Sequence, residues 1–463
     1  MMTLATTRVV IIGAGPAGIR AAETLAQAGL RPILVDEGRL PGGQGYRRPS
    51  AGLALDMDAL LGTQAAKYRA LHARFAELAP AIDYRPETLA WAVHEGTLHV
   101  ARDGAAATLP FDALLIAAGA ADRVFPVKGW TLPGVFTLGG AQVILKDQGC
   151  LIGRRMVFLG SSPLLSLAAL QYRQFGADVA AICDTTPLRE KLLAAPALAP
   201  AAATALRGLG YLARLRRDGV PMFSGTTPLA IEGRDHVEAV RFRLGDGEER
   251  VIACDAVAFG YGLKPETQLA ELAGARFGYD PVFRLWGPNL DADGRARPGL
   301  YLAGDCAAIG GADAAEASGT LAALALLADL GGEVTHRERR DMPRLRREVA
   351  RYRSFQKGLA RAFAWPGSRG ATAIADEVEL CRCENVTAGD IRAAIAADLG
   401  PVDVNRVKAI TRCGMGRCQG RMCGPALQEI AAAASARPLA EVGRLRGQAP
   451  VKPLAIGSAA APA

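Results

Sequence analysis

The chain has 463 residues, half of them hydrophobic, with a formal net charge of +8 and nine cysteines. That length gives room for roughly three globular domains of ~150 residues each, and no apolar run approaches the ~18 uncharged residues of a membrane span. The positive balance does not imply nucleic acid. The densest basic stretch, Arg337 to Arg353, interleaves Glu338, Asp341 and Glu348 at helical spacings, the pattern of a solvated helix.

The start, Met1-Met2-Thr3-Leu4, has neither the basic region nor the cleavage site of a secretory signal, which argues for the cytoplasm. Arg8-Val9-Val10-Ile11-Ile12 then reads as a buried strand, followed by Gly13-Ala14-Gly15-Pro16-Ala17-Gly18 and a helix from about Pro16 to Ala28 that Gly29 stops. Without side chains at Gly13 and Gly15 the backbone turns sharply and can approach a pyrophosphate, whose charge sits on the helix N-terminus; Gly18 lets helix and strand pack closely. A second strand, Pro32 to Val35, delivers Asp36, with Glu37 beside it, where a carboxylate accepts hydrogen bonds from ribose hydroxyls. Strand, turn, helix, strand and acid in register predict a dinucleotide site. Short strands alternate with helices up to about residue 330, so the expected fold class is α/β, doubly wound, with parallel sheets.

Two later segments each end a strand in small residues: Ala113-Leu114-Leu115-Ile116-Ala117-Ala118-Gly119 and Leu300-Tyr301-Leu302-Ala303-Gly304-Asp305. They resemble the two motifs of two-dinucleotide flavoprotein reductases, of the thioredoxin reductase and glutathione reductase kind. The resemblance implies FAD, with Asp305 at its ribityl and phosphate region and a helix from about Asp313 aimed at the flavin ring. Pro41-Gly42-Gly43-Gln44 resembles the flavin-contacting turn of the same enzymes, which adds Gly43 and Gln44 to the expected site. Cys150, Cys183, Cys254 and Cys306 lie too far apart in sequence for a redox Cys-x-x-Cys and are expected as small buried hydrophobes.

Met156-Val157-Phe158-Leu159, then Gly160-Ser161-Ser162-Pro163-Leu164-Leu165, a helix, Gly176 and a strand ending near Asp184 repeat the strand-turn-helix-strand grammar. Here Ser162 and Leu165 occupy glycine positions, which argues against NAD(P)H bound in the usual geometry. An Ala/Leu-rich stretch, Pro187 to Arg217, is expected to be a helical insertion. Thr335 to Arg369 is charged, then Gly/Pro-punctuated, as linkers are. None of His72, His94, His99, His236 and His336 sits in a nucleophile, metal or acid/base motif.

Five cysteines crowd the C-terminal part: Cys381 and Cys383, a helix capped by Thr387 and Asp390, then Cys413, Cys418 and Cys423 among glycines. Four thiolates hold either zinc or a 2Fe-2S cluster, and spacing alone leaves both open. The order Cys-x-Cys, then Gly-Met-Gly-x-Cys-Gln-Gly-x-x-Cys-Gly, is similar to the bacterioferritin-associated-ferredoxin-like 2Fe-2S domain. That resemblance implies Cys381, Cys383, Cys418 and Cys423 as ligands and leaves Cys413 outside the set. Ile456 to Ala463 is expected to fray.

With Gly129-Trp130-Thr131-Leu132-Pro133-Gly134-Val135-Phe136-Thr137, Gln142 and Lys146 between these modules, nearly the whole chain resembles the accessory α subunit of membrane-linked amino and imino acid dehydrogenases. The family includes opine oxidase, D-hydroxyproline and L-proline dehydrogenases and hydrogen cyanide synthase. The resemblance implies an FAD-binding domain split over residues 1–125 and 291–335, a second Rossmann-like domain over 126–290 and a linker over 336–375. It further implies a 2Fe-2S domain over 376–445 and a flexible tail over 446–463. Implied partners are a catalytic subunit of the glycine-oxidase type and a small ferredoxin-like chain, with FMN at a subunit interface or another nucleotide at the second site. The chain would lie in the cytoplasm, at the inner membrane through its complex. A self-contained NAD(P)H reductase and a scaffold with a structural nucleotide are the competing readings.

Overall fold

The computed structural model describes residues 7–397 and 400–455; the fraying expected at 456–463 lies outside them. The strand Val9–Ile12 is buried along its whole length, and its residues alternate between two cores. Val9 and Ile11 pack with the Pro16–Gln27 helix on one side, Val10 and Ile12 with Leu269 and Val451 on the other. A strand covered on both faces must be apolar throughout, which is why the sequence shows a run and not an alternation.

This strand lies inside a six-stranded sheet in the order 295–297, 300–302, 113–116, 9–12, 33–35 and 83–85. All its pairings are parallel except the edge strand Arg295–Arg297. Its strands come from two stretches of sequence, 9–116 and 295–302, and the residues between build a second sheet of five parallel strands. There Met156 and Phe158 face one core, Val157 and Leu159 the other. Each fully buried aliphatic side chain in these strands contributes about 1.5–3 kcal/mol. A two-stranded ribbon, Ala120–Asp122 against Leu263–Pro265, joins the two units.

Three expectations are corrected here. Residues 336–375 are no linker: Thr335 and Glu338 form a capping box, and the helix His336–Ala362 buries Leu345, Val349 and Phe355 and pairs Arg346 with Asp293 at 2.6 Å. Its charges hide apolar residues spaced to reach the core. The tail does not fray from 446 either, because Val451 is buried and donates its amide to the Trp91 carbonyl at 3.0 Å. Cys150 is exposed, while Cys183, Cys254 and Cys306 are buried as expected.

The insertion is helical, but not continuous. Leu188–Ala194 gives way to a 3-10 turn at Ala195–Ala201, where Pro196 and Pro200 remove amide donors, and Ala202–Arg217 resumes the α-helix. Leu188–Arg217 contains an 18-residue window with a mean hydropathy of 1.4 and is the one segment among the described residues long and apolar enough to cross a membrane by those criteria alone. Its uncharged run is cut short at Arg207, which interrupts the leucines. The cysteine module closes the chain with a short hairpin, Glu379–Cys381 against Val386–Thr387, and the helices Ala388–Ala396, Val404–Thr411 and Gly424–Ala434.

Candidate functional site: a flavin crevice and a cysteine cluster

At the C-terminal end of Val9–Ile12 the backbone turns at Gly13, with φ +103°, where a Cβ would lie 2.4 Å from the Ala117 carbonyl oxygen. A Cβ on Gly18 would meet the Gly13 carbonyl oxygen at 1.8 Å, so the helix can sit on the turn only without it. Gly15 caps the Pro16–Gln27 helix and brings no side chain to its free amides, which leaves them for an anion. Gly43 lies against Gly15: a Cβ on Gly43 would approach the Gly15 Cα at 3.0 Å, so the Gly42-Gly43-Gln44 turn roofs the same crevice.

Asp36 stands at the end of Ile33–Val35 and accepts from the Ala14 amide at 2.5 Å and the Gly38 amide at 2.7 Å. Burial pushes its carboxyl up, and those two amides pull it back. Glu37 is exposed and pairs with Lys452 of the docked tail. Asp305 accepts from Gly310 at 2.8 Å and Gly311 at 3.0 Å, which fixes it at the start of the helix Ala312–Asp329. Gly304 donates to the Ser318 hydroxyl at 2.8 Å, and a Cβ there would meet Ala17 at 2.9 Å. Gly119, at φ +73°, follows Ala118 out of the strand Ala113–Ile116. The expected residues thus gather around one crevice beyond the carboxyl ends of parallel strands, with two helix N-termini opening on it. The cradle would clash with added Cβ atoms at Gly13 and Gly18 and offers backbone amides to phosphate, so it fits a dinucleotide.

The cysteines also converge. Cys381, Cys413 and Cys423 place their sulfurs within 4.8 Å of one another, all buried. Cys418 bonds Cys423 and Cys383, which joins the remaining two thiols to the group. Hydrogen bonds from Cys413 and Cys423 hold the Cys381 thiol down to about 2, and the bond to Cys423 holds Cys418 at about 5. Cys413, by contrast, is pushed up, first by its bond to Cys381. Cys423 is pushed up by its bonds to Cys381, Cys413 and Cys418, and Cys383 by burial, so the thiolate character gathers on Cys381 and Cys418; a buried group of thiols this close suits a metal ion or cluster. The resemblance left Cys413 outside the ligand set, and the structure places its sulfur within the same group. The left-handed cap at Arg412, φ +64°, turns it inward, and only the arginine before Cys413-Gly414 hints at that turn.

The second strand-turn-helix unit is built differently. A Cβ on Gly160 would strike the Gly260 carbonyl oxygen at 2.0 Å, so its turn is as tight as that at Gly13. Ser162, however, caps the helix Pro163–Gln174 with its own hydroxyl, which accepts from the Leu164 amide at 3.1 Å. Asp184, at the ribose-binding position, is taken by Lys191 at 2.5 Å and by the Thr186 amide at 2.8 Å. Thr186 in turn bonds Ser161 at 2.7 Å and receives the Ala364 amide at 3.0 Å.

The family model described as pyridine nucleotide-disulphide oxidoreductase matches residues 7–320, and that of the BFD-like [2Fe-2S] binding domain matches residues 380–433. The chain belongs to the pyridine nucleotide-disulphide oxidoreductase family. It is 36% identical over 465 residues to an opine oxidase subunit of Agrobacterium tumefaciens (strain Ach5), covering 97% of this chain and 90% of that one. It is 32% identical over 461 residues to the HcnB subunit of hydrogen cyanide synthase from Pseudomonas aeruginosa, covering 96% and 97%. Among solved structures, L-proline dehydrogenase from P. horikoshii superposes with a TM-score of 0.69 at 20% identity, over 98% of this chain and 79% of that one. Thioredoxin reductase of T. acidophilum does so with a TM-score of 0.52 at 20% identity, over 70% and 98%. The fold is therefore that of a thioredoxin-reductase-like flavoprotein with a helical 2Fe-2S domain, and the chain is a flavin oxidoreductase whose cofactors are FAD and a 2Fe-2S cluster.

Proposed function

We propose that the chain is the electron-transfer subunit of a heteromeric amino or imino acid dehydrogenase. A catalytic flavoprotein partner of the glycine-oxidase type oxidises the C–N bond of an opine, a proline derivative or a glycine-type substrate. This chain receives the electrons and delivers them to a respiratory acceptor at the inner membrane. The reading draws on near full-length kinship with subunits named for opine oxidase and hydrogen cyanide synthase.

The observation that carries it is the contrast between a first turn whose helix amides bear no side-chain cap and a second whose helix and acid are bound by the chain's own side chains. Lys191, Ser162 and the Ala364 amide fill positions that a nicotinamide dinucleotide would need. Electrons supplied by a partner chain require no such site. FAD is held by Gly13, Gly15, Pro16, Ala17, Gly18, Asp36, Glu37, Gly43, Gln44, Ala118, Gly119, Gly304 and Asp305. The cluster is held by Cys381, Cys383, Cys418 and Cys423, with Cys413 donating to Cys381. When bound, the two groups supply reversible redox chemistry, while the chain supplies amides for the phosphates and thiolates for iron.

The test is anaerobic spectroscopy of the chain purified with its co-expressed partners. Flavin bleaching on addition of an opine, proline derivative or glycine, and not on addition of NADH, is the expected result. Rapid bleaching by NADH with no response to any amino acid would replace this reading with that of a nicotinamide-dependent reductase.

A further inference from the structure

The flavin unit and the cysteine module meet at the ribbon described above. Its strand Ala120–Asp122 follows directly on Ala118 and Gly119, and its partner Leu263–Pro265 leads into Glu266. The Glu266 amide donates to the Gly119 carbonyl at 3.0 Å. Its carboxylate accepts two bonds from Arg421, at 2.6 and 3.2 Å, in a pair whose side chains are only 16% and 13% exposed. Arg421 lies on the loop between Cys418 and Cys423. One carboxylate therefore ties the flavin-side turn to the loop that carries two thiols. Gln268 adds a bond from its Nε2 to the Gln419 carbonyl at 2.7 Å, and Arg421 reaches the Val451 carbonyl at 2.6 Å.

Lys264, two residues before Glu266 on the strand Leu263–Pro265, is half-buried, and its side-chain amine makes no hydrogen bond or ion pair among the described residues. Its surroundings hold the amine below its usual range, first through desolvation, while Glu266, Cys418 and Cys423 act in the opposite direction. Lys264 and Arg421 against Glu266 leave a net positive charge beside the cysteines. Glu266 is shared with Arg421, which takes two bonds from it, so one carboxylate offsets only one of the two cations. A cluster held by thiolates is anionic, becomes more so on reduction, and has a potential that follows nearby charge and solvent exposure.

We propose that Lys264 and Arg421, the latter oriented by Glu266, are positioning residues that raise the reduction potential of the cluster from the side facing the flavin. The assignment rests on the reading of the chain as an FAD and 2Fe-2S subunit. It goes beyond that reading by naming side chains that are not cofactor ligands as the determinants of cluster potential.

The experiment is an EPR-monitored redox titration of the full chain in its complex, with iron content and flavin absorbance measured on the same samples. Lys264→Gln is expected to lower the ratio of reduced to oxidised cluster at a fixed potential about tenfold, which is about 59 mV for one electron. Lys264→Arg keeps the charge and should restore the ratio, a recovery that a merely structural role would not track. Arg421→Gln is expected to lower the ratio in the same direction and serves as the test should Lys264→Gln lose its iron. An unchanged midpoint in an iron-replete Lys264→Gln or Arg421→Gln protein would overturn the assignment. A wild-type protein without the signal of a reduced 2Fe-2S cluster would instead sink the reading on which it rests.

Discussion

The turns at Gly13 and Gly160 have the same backbone design and opposite fates. In both, a missing Cβ lets the chain turn against the carbonyl of a neighbouring strand, Ala117 in one and Gly260 in the other. They differ in what fills the space beyond. At Gly13 the helix amides are left uncapped, and Asp36 bonds only backbone amides. At Gly160 a serine hydroxyl caps the helix, and a lysine neutralises the acid. Geometry of the turn is thus shared by both units, and what separates them is whether the chain's own side chains engage the helix and the acid beyond it.

The comparison is broken most forcefully at Gly18. Gly18→Val would drive side-chain atoms into the Gly13 carbonyl, and a cost of about 3 kcal/mol or more is expected. Chemical denaturation and flavin absorbance should fall together, whereas Gly160→Ala should cost stability and leave the flavin content of the folded fraction intact. Asp36→Asn comes next. Loss of the charge that two amides share is expected to weaken FAD binding by about 1.5–3 kcal/mol, read by flavin release on dilution.

A smaller effect separates the two units by pH. Lys146 reaches from the second unit to the Gln44 and Gly45 carbonyls at 3.3 and 3.4 Å, and burial, helped by Arg47, holds its amine at about 8 instead of 10.5. Between those values the unfolded chain binds a proton that the folded chain does not, so this group makes stability rise as pH rises from about 8 toward 10.5. Lys146→Met should remove that rise in denaturation curves recorded across the window; parallel curves for the two proteins would refute it. The smallest change is expected from Ser162→Gly combined with Leu165→Gly. Lys191 still pairs with Asp184, so NADH should bleach the flavin no faster than in the parent. Fast bleaching by the double variant would mean that the glycine positions alone close the second site.

What could be read in the sequence was local. The strands, the glycine turns and Asp36 lie within a few residues of one another, and steric necessity writes them into residue type. The cysteine module was legible for the same reason. The pairing of Glu266 with Arg421 was not, because they stand 155 residues apart, Glu266 belongs to no motif and Arg421 occupies a variable position of the cysteine motif. The same holds for Lys452 on Glu37, which docks a tail that composition suggests is loose. The helix His336–Ala362 misled in another way, since charge density masks the Leu345, Val349 and Phe355 stripe that packs it down.

The six-stranded sheet also dictates an order of events during synthesis. Its strands at 9–12, 33–35, 83–85 and 113–116 leave the ribosome early, but 300–302 must pair beside 113–116 before Gly304 and Asp305 can join the crevice. Until then the nascent chain exposes an apolar sheet edge, so the unit bearing Gly160 is made, and can fold, while the first sheet still waits for its last strands. Flavin capture therefore belongs to the late stage of biogenesis, and the cysteine module, made after it, packs onto the core of the unit bearing Gly160 once that unit is already in place.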